Sequence, residues 1–140
     1  MAVGRREFLT APWRVLSSRA GRITIDSARC TLCGACADRC PEGALALAGA
    51  PHALQILFDT TRCTACEACL ICPEQALHLE LLEERPTQGT PTILVEDTML
   101  RCSRCGGEVG PARLIAKILK SPQELLCPTC RIMRASGMRA

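Results

Sequence analysis

The chain has 140 residues, a net charge of +3, and 48% apolar but only 2% aromatic residues. Its length fits one ordinary domain or two very small ones, and its charge is too small to imply a nucleic-acid partner. No apolar run approaches the roughly 18 residues of a spanning helix, so membrane contact is expected only through a partner.

Phe8, Trp13 and Phe58 are the aromatic side chains. The large residues that dominate core burial are therefore scarce, and metal centres are expected to act as staples instead. Cysteine is abundant, with 12 residues. Disulfides would suit a secreted chain and metal ligation a cytosolic one. The cysteines lie at C-x2-C or nearly so, and such tight clusters suit chelation better than bridges between distant segments.

The first residues contain Arg5-Arg6-x-Phe8-Leu9, which looks like a twin-arginine export motif. An export signal needs a following apolar stretch of about 7–15 residues. Pro12, Arg14, Arg19 and Arg22 interrupt the stretch here. Residues 1–20 are read instead as an arm, with Phe8, Leu9, Trp13, Val15 and Leu16 as anchors and arginines as charge. Trp and Arg favour interfaces, so the arm is expected to dock on a partner.

From Gly21 the chain becomes regular. RITID (22–26) alternates as a strand does, with Ile23 and Ile25 on one face. CTLCGACADRCP follows, carrying Cys30, Cys33, Cys36 and Cys40, and GAPH (49–52) reads as a turn. The pattern then repeats: residues 23–47 align with residues 56–79 if one residue is deleted from the second copy. The second run, CTACEACLICP, carries Cys63, Cys66, Cys69 and Cys72. Each half is expected to give a strand, a metal-binding loop, a short helix near its third and fourth cysteines, and a second strand. Thiolates are soft donors suited to iron–sulfur iron. Small neighbours (Gly34, Ala35, Ala65 and Ala68) would let backbone N–H groups approach the sulfurs and tune the potential. No acid, base or nucleophile lies in these runs, so the module is expected to carry electrons without a catalytic site of its own.

The first run resembles the bacterial two-cluster ferredoxin pattern C-x2-C-x2-C-x3-C-P throughout. In that family three cysteines of a run hold one 4Fe–4S cluster and the fourth reaches the other. The resemblance implies one cluster on Cys30, Cys33, Cys36 and Cys72, and a second on Cys63, Cys66, Cys69 and Cys40. Pro41 and Pro73 match the family proline. The second run departs from the pattern, since Cys69 and Cys72 are three apart rather than four. On an α-helix those spacings are offset by about 60° and about 40° in opposite senses. Cys72 would then point differently unless the turn tightens or unwinds. It is kept as a ligand, with a buried free thiol as the competing reading. His52 and His78 are read as surface residues, because both cluster sets are already filled.

LLEERPTQGTP (81–91) reads as a boundary, with Pro86, Gly89 and Pro91. The organisation expected is an arm (1–20), a two-cluster unit (21–81), a linker with a short strand at 92–96 (82–96), and a last domain (97–140). In that domain Cys102-Ser-Arg-Cys105-Gly-Gly and Cys127-Pro-Thr-Cys130 make two C-x2-C knuckles for one tetrahedral four-cysteine site. Zinc is the first choice, rubredoxin-like iron the second and a third cluster the last. Four protein thiolates would leave no open position, so a zinc ion there would be structural. PARLIAKILKS (111–121) reads as a helix with Pro111 at its first position and Pro122 as its stop. Leu114, Ile115, Ile118 and Leu119 share one face. That face is expected to cap the metal site, with partner docking and a nucleic-acid zinc ribbon as lesser readings.

The fold class is thus expected to be α+β: a duplicated bacterial two-cluster ferredoxin-like module, then a small zinc-ribbon or rubredoxin-like four-cysteine domain. The combination resembles the ferredoxin-like subunit of formate hydrogenlyase and other group 4 membrane-bound NiFe hydrogenases, and the eight-iron ferredoxin subunit of respiratory complex I. The resemblance spans roughly residues 21–131. It implies a wiring subunit, partnered by larger redox subunits in the cytoplasm or at the cytoplasmic face of the inner membrane. A free-standing ferredoxin is one alternative. A non-redox assembly or regulatory protein is another, since the N-terminal Arg-Arg-x-Phe-Leu looks like the start of ferredoxin-like proteins associated with periplasmic nitrate reductase.

Overall fold

The computed structural model describes residues 19–119 and 124–138. The arm's anchors and Pro122 lie outside these residues. In chain order the elements are β1 (Ala20–Ile25), α1 (Ala35–Asp38), β2 (Leu45–Ala50), β3 (Ala53–Phe58), a 3-10 helix (Ala68–Ile71) and β4 (Leu77–Leu82). They continue with β5 (Thr92–Arg101), β6 (Glu108–Pro111), α2 (Ala112–Ile118) and α3 (Pro128–Ala135). Helix and sheet are mixed, as the α+β expectation required. Strands β1 and β4 form a two-stranded antiparallel ribbon, and the other four strands form a sheet in the order β2-β3-β5-β6.

The period of two in the sequence decides which side chains go inside. In β1, Ile23 is buried between exposed Arg22 and Thr24, and it lies opposite Leu79 of β4. In β3, Ile56 and Phe58 are buried. Strands β2 and β3 close on Pro51-His52, since Ala50 pairs with Ala53. His52 has φ 66. A proline-fixed φ followed by a left-handed residue is the geometry of a type II turn.

Cysteine belongs to the core itself. Cys30, Cys36, Cys63 and Cys69 are buried in one cluster with Ile23, Leu32, Leu45, Ile56, Phe58, Leu77 and Val95. With Phe58 the one aromatic side chain in this cluster, thiols and aliphatic residues fill the space between the ribbon and the sheet.

Strand β5 is longer than the short strand expected at 92–96. It runs to Arg101 and pairs with β3 on one side and β6 on the other. A register shift opposite Ile56/Leu57 sets Val95 against Ile56, both buried. The polar stretch Glu96-Asp97-Thr98 hides this strand from periodicity, and two flanking partners hold it extended. The sheet therefore runs from the first cysteine runs to the edge of the last two knuckles without a break.

Left-handed backbone conformations recur at matching places in the two runs. Leu32 (φ 54) and Ala65 (φ 52) are left-handed at matching places in their runs, as are Gly34 (φ 80) and Glu67 (φ 64). The next pair, Gly43 (φ 60) and Gln75 (φ 50), is closer by one residue, so the deletion falls between Glu67 and Gln75. Hydrogen bonds recur too: Asp26 N–H donates to the Ala76 carbonyl (2.7 Å) and Asp59 N–H to the Ala44 carbonyl (2.8 Å). Each loop is thereby tied to the far end of the other.

Candidate metal centres

Each cysteine run begins on an aspartate turn. Asp26 Oδ1 accepts the Ala28 N–H at 2.9 Å, and Asp59 Oδ1 accepts the Thr61 N–H at 3.0 Å and the Thr61 hydroxyl at 2.6 Å. Backbone bonds close the same turns, Arg29 and Cys30 N–H donating to the Asp26 carbonyl and Arg62 N–H to the Asp59 carbonyl. The repeat aligns both aspartates, and sequence pattern alone assigns them no role; their place, four residues before the first cysteine of each run, is the signal available.

The turns deliver the thiols to two cavities. The first is lined by Cys30, Cys33, Cys36 and Cys72, with Ile25, Ile56, Ala76 and Leu77 among its walls. The second is lined by Cys63, Cys66, Cys69 and Cys40, with Ile23, Ala65 and Leu79. Each cavity therefore gathers three cysteines of one run and the last cysteine of the other. Exposure repeats in order: the first and third thiols are buried, the second exposed and the fourth half-buried in both runs.

The shortened second run reaches the same arrangement by changing helix type. Cys36 lies in the α-helical turn α1, whereas Cys69 lies in a 3-10 helix. Three residues complete a turn of 3-10 helix, and four slightly overshoot a turn of α-helix. Tightening the helix absorbs the missing residue. Cys72 then sits as Cys40 does: Ala44 N–H donates to Cys40 Sγ at 3.2 Å and Ala76 N–H to Cys72 Sγ at 3.5 Å. Leu32 N–H likewise donates to Cys30 Sγ at 3.4 Å.

Burial sets the acidity of these thiols. It pushes Cys36 and Cys69 up to about 11, and neighbouring thiolates add to the rise. Cys30 is also raised by burial, against the Leu32 N–H, which lowers it. Thiols held in this way are protonated at neutral pH and must lose those protons to take up metal. The cavities offer four thiols each, apolar walls and N–H groups directed at sulfur. Those features fit a 4Fe–4S cluster, whose four irons each take one cysteine.

The third group differs in kind. The sulfurs of Cys102, Cys105, Cys127 and Cys130 all lie within 4.8 Å of one another. Cys105 Sγ and Cys127 Sγ are 3.7 Å apart, close to the about 3.8 Å edge of a thiolate tetrahedron with Zn–S bonds of about 2.3 Å. One loop is closed by Gly106 N–H to the Cys102 carbonyl (2.9 Å) and Cys102 N–H to the Gly107 carbonyl (2.8 Å). Gly106 has φ 72, a conformation glycine adopts at no steric cost. Cys127 caps α3, its Sγ accepting the Cys130 N–H at 3.4 Å. Backbone hydrogen bonds from the Cys105 and Cys127 regions hold the Cys102 thiol well below its ordinary value. Burial holds Cys130 above it. The group fits a single tetrahedral ion.

Helix α2 does not lie where the sequence reading put its apolar face. Among the described residues, the buried side chain packed with Cys102 and Cys130 is Leu126, joined by half-buried Val109. Ile115 of α2 instead packs over Gly110, and Ile118 is 63% exposed. The helix runs only to Ile118, with Leu119 extended. Its polar side chains turn toward the surroundings of the first cavity, Arg113 to the Ser27 carbonyl and Lys117 to Glu74, an orientation that periodicity alone does not carry. His52 and His78 are both exposed.

One position had no sequence signal. A Cβ at Gly21 would stand 2.6 Å from Leu79 Cδ1, 3.1 Å from Cys63 Sγ and 3.3 Å from Ala65 Cβ. Gly21 lets β1 approach the second cavity, and the duplicate has no glycine at the matching place.

Residues 23–46 match the 4Fe–4S binding domain family, Fer4. That segment holds Cys30, Cys33, Cys36 and Cys40, and the match supports an iron–sulfur, ferredoxin-like protein with an electron-transfer role. No curated protein sequence matches the chain. Among the described residues no helix is long and apolar enough to cross a membrane.

Proposed function

We propose that the chain is the iron–sulfur wiring subunit of a multisubunit oxidoreductase of hydrogenase-like or complex I-like type. It relays electrons between larger redox subunits. In this reading the duplicated unit is a two-cluster ferredoxin module. Cys30, Cys33, Cys36 and Cys72 hold one 4Fe–4S cluster, and Cys63, Cys66, Cys69 and Cys40 hold the other. Cys102, Cys105, Cys127 and Cys130 hold a structural zinc ion. The clusters supply one-electron chemistry, and the protein supplies burial, N–H donors and the spacing between the two.

The observation that carries this reading is the crossing of the runs. Each cavity needs the last cysteine of the other half, so neither half builds a complete site alone. Exposed Cys33 and Cys66 give each cavity one edge near the surface, where a partner's redox group can approach. The four-cysteine unit, continuous with the main sheet through β5, favours a subunit over a minimal diffusing carrier. Membrane contact, if the complex has it, comes through the partners at the cytoplasmic face.

Anoxic purification of the chain from its own cells tests both parts. About eight irons and one zinc per chain are expected, together with stable co-purification of large redox subunits. Half that iron refutes the assignment of the second run. A soluble monomer that exchanges electrons with many partners refutes wiring in favour of a diffusible ferredoxin. Clusters that do not cycle reversibly point to assembly or sensing.

A further inference from the structure

The duplication provides an internal control on charge, because most charged residues near one cavity have a counterpart near the other. Arg29 and Arg62 each precede the first cysteine of a run. Glu74 lines the first cavity as Glu42 lines the second. Asp38 and Arg39, in the stretch the second run shortens, offset one another. Apart from the Arg62 guanidinium, which packs over Gly43 beside Glu42, three differences survive this comparison.

Lys117 of α2 hydrogen-bonds and ion-pairs with Glu74, while among the described residues Glu42 has no ion-pair partner. Glu67 lines the second cavity, and the matching place in the first holds Gly34. Arg113 of α2 donates from Nη1 to the Ser27 carbonyl, in the turn leading to Cys30. Its backbone N–H donates to Asp97 Oδ2 at 2.7 Å, and its Nε lies 4.0 Å from Asp97 Oδ1. Asp97 belongs to β5, so the main sheet fixes the guanidinium in place.

All three differences have the same sign. The first cavity gains a guanidinium, offset in part by Asp97, and a neutralised carboxylate, and the second gains a carboxylate. Added positive charge favours the more negative, reduced state of a cluster, and added negative charge disfavours it.

We propose that α2 grades the two cavities: Arg113 and Lys117 hold the reduction potential of the first cluster above that of the second, where Glu67 and Glu42 hold it down. An electron shared by the pair then rests on the first cluster. The C-terminal unit thus sets the direction of internal transfer as well as extending the fold. This inference rests on the two-cluster reading above.

The test is a redox titration of the full, cluster-loaded chain followed by electron paramagnetic resonance. The wild type is expected to give two separate midpoints. The pair Arg113→Gln and Lys117→Gln lowers the higher midpoint, so that the reduced-to-oxidised ratio of that cluster at a fixed potential falls severalfold while the other stays in place. Glu67→Gln raises the lower midpoint. Should the double variant not fold, Glu74→Gln keeps the question open to measurement, because removing that carboxylate raises the higher midpoint. Two clusters whose midpoints ignore these substitutions, or a double variant or Glu74→Gln that moves only the lower midpoint, overturn the grading alone. A wild-type chain with a single cluster overturns the grading and the two-cluster reading together.

Discussion

The two cavities and the four-cysteine group use the same side chain in different geometries. In the group formed by Cys102, Cys105, Cys127 and Cys130, the sulfurs close on one another within 4.8 Å. In the two cavities the thiols line mostly apolar walls that also carry Glu74 in the first and Glu42 and Glu67 in the second, and backbone N–H groups point at them. Sulfurs that nearly touch suit one ion, whereas sulfurs spread around a space suit a group with several metal corners. The supporting cores differ as well. The cavities sit in a core shared by β1, β2, β3, β4 and β5. The four-cysteine group has Leu126 and Val109. The first region has apolar packing around its thiols, and the second has little besides its four sulfurs.

The largest effect is therefore expected in the smaller region. Cys102→Ser should remove most of a metal-binding free energy on the order of 10 kcal/mol. Hydrogen-exchange protection should vanish from α3 and from the Cys102–Gly107 loop while the β1–β4 ribbon keeps its own. Protection lost from both regions together would show that they are one cooperative unit and break the contrast.

A second test sharpens the contrast within the cavities. Cys72→Ser should damage the same cluster signal as Cys36→Ser, and Cys40→Ser the same signal as Cys69→Ser, as read by paramagnetic resonance and iron content. Pairing by run instead of by cavity would overturn the crossed assignment. Gly21→Ala should cost about 1–3 kcal/mol through overpacking against Leu79 and Cys63. The same change at Gly106 should cost less, since a Cβ there meets nothing within 4 Å and the penalty is that of its φ of 72. Paired thermal melts measure both.

The mildest effect concerns pH in the metal-free, reduced chain. Cys36 and Cys69 have folded values raised to about 11 from 9.0. A raised value means that the folded form holds its protons more tightly. The stability this gives is present below about pH 9 and lost as pH rises toward about 11. Melting temperature should fall over that window. In Cys36→Ala with Cys69→Ala the fall should be smaller, and an equal fall would place the titration elsewhere.

The grouping of the thiols was legible in the sequence because it is local. Cysteine spacing, the prolines after Cys40 and Cys72, and the repeat of residues 23–47 in 56–79 all lie within short windows. Covalent spacing limits where thiols can go. The strands were legible for the same reason, since Ile23, Ile56 and Phe58 alternate with polar or half-exposed neighbours. The helix 111–121 was recognised as a helix but misplaced, because an apolar face does not name the surface that covers it.

What the tertiary structure decided is what depends on distant partners. The length of β5 came from pairing with β3 and β6. The tightening of Ala68–Ile71 into a 3-10 helix came from the need to bring Cys72 to the first cavity despite the missing residue. Gly21 owes its role to a β4 side chain far along the chain, and Arg113 owes its role to Ser27 and Asp97. Local pattern fixes which thiols lie close together along the chain. The three-dimensional packing of separate segments fixes which thiols share a cavity and which charges surround it.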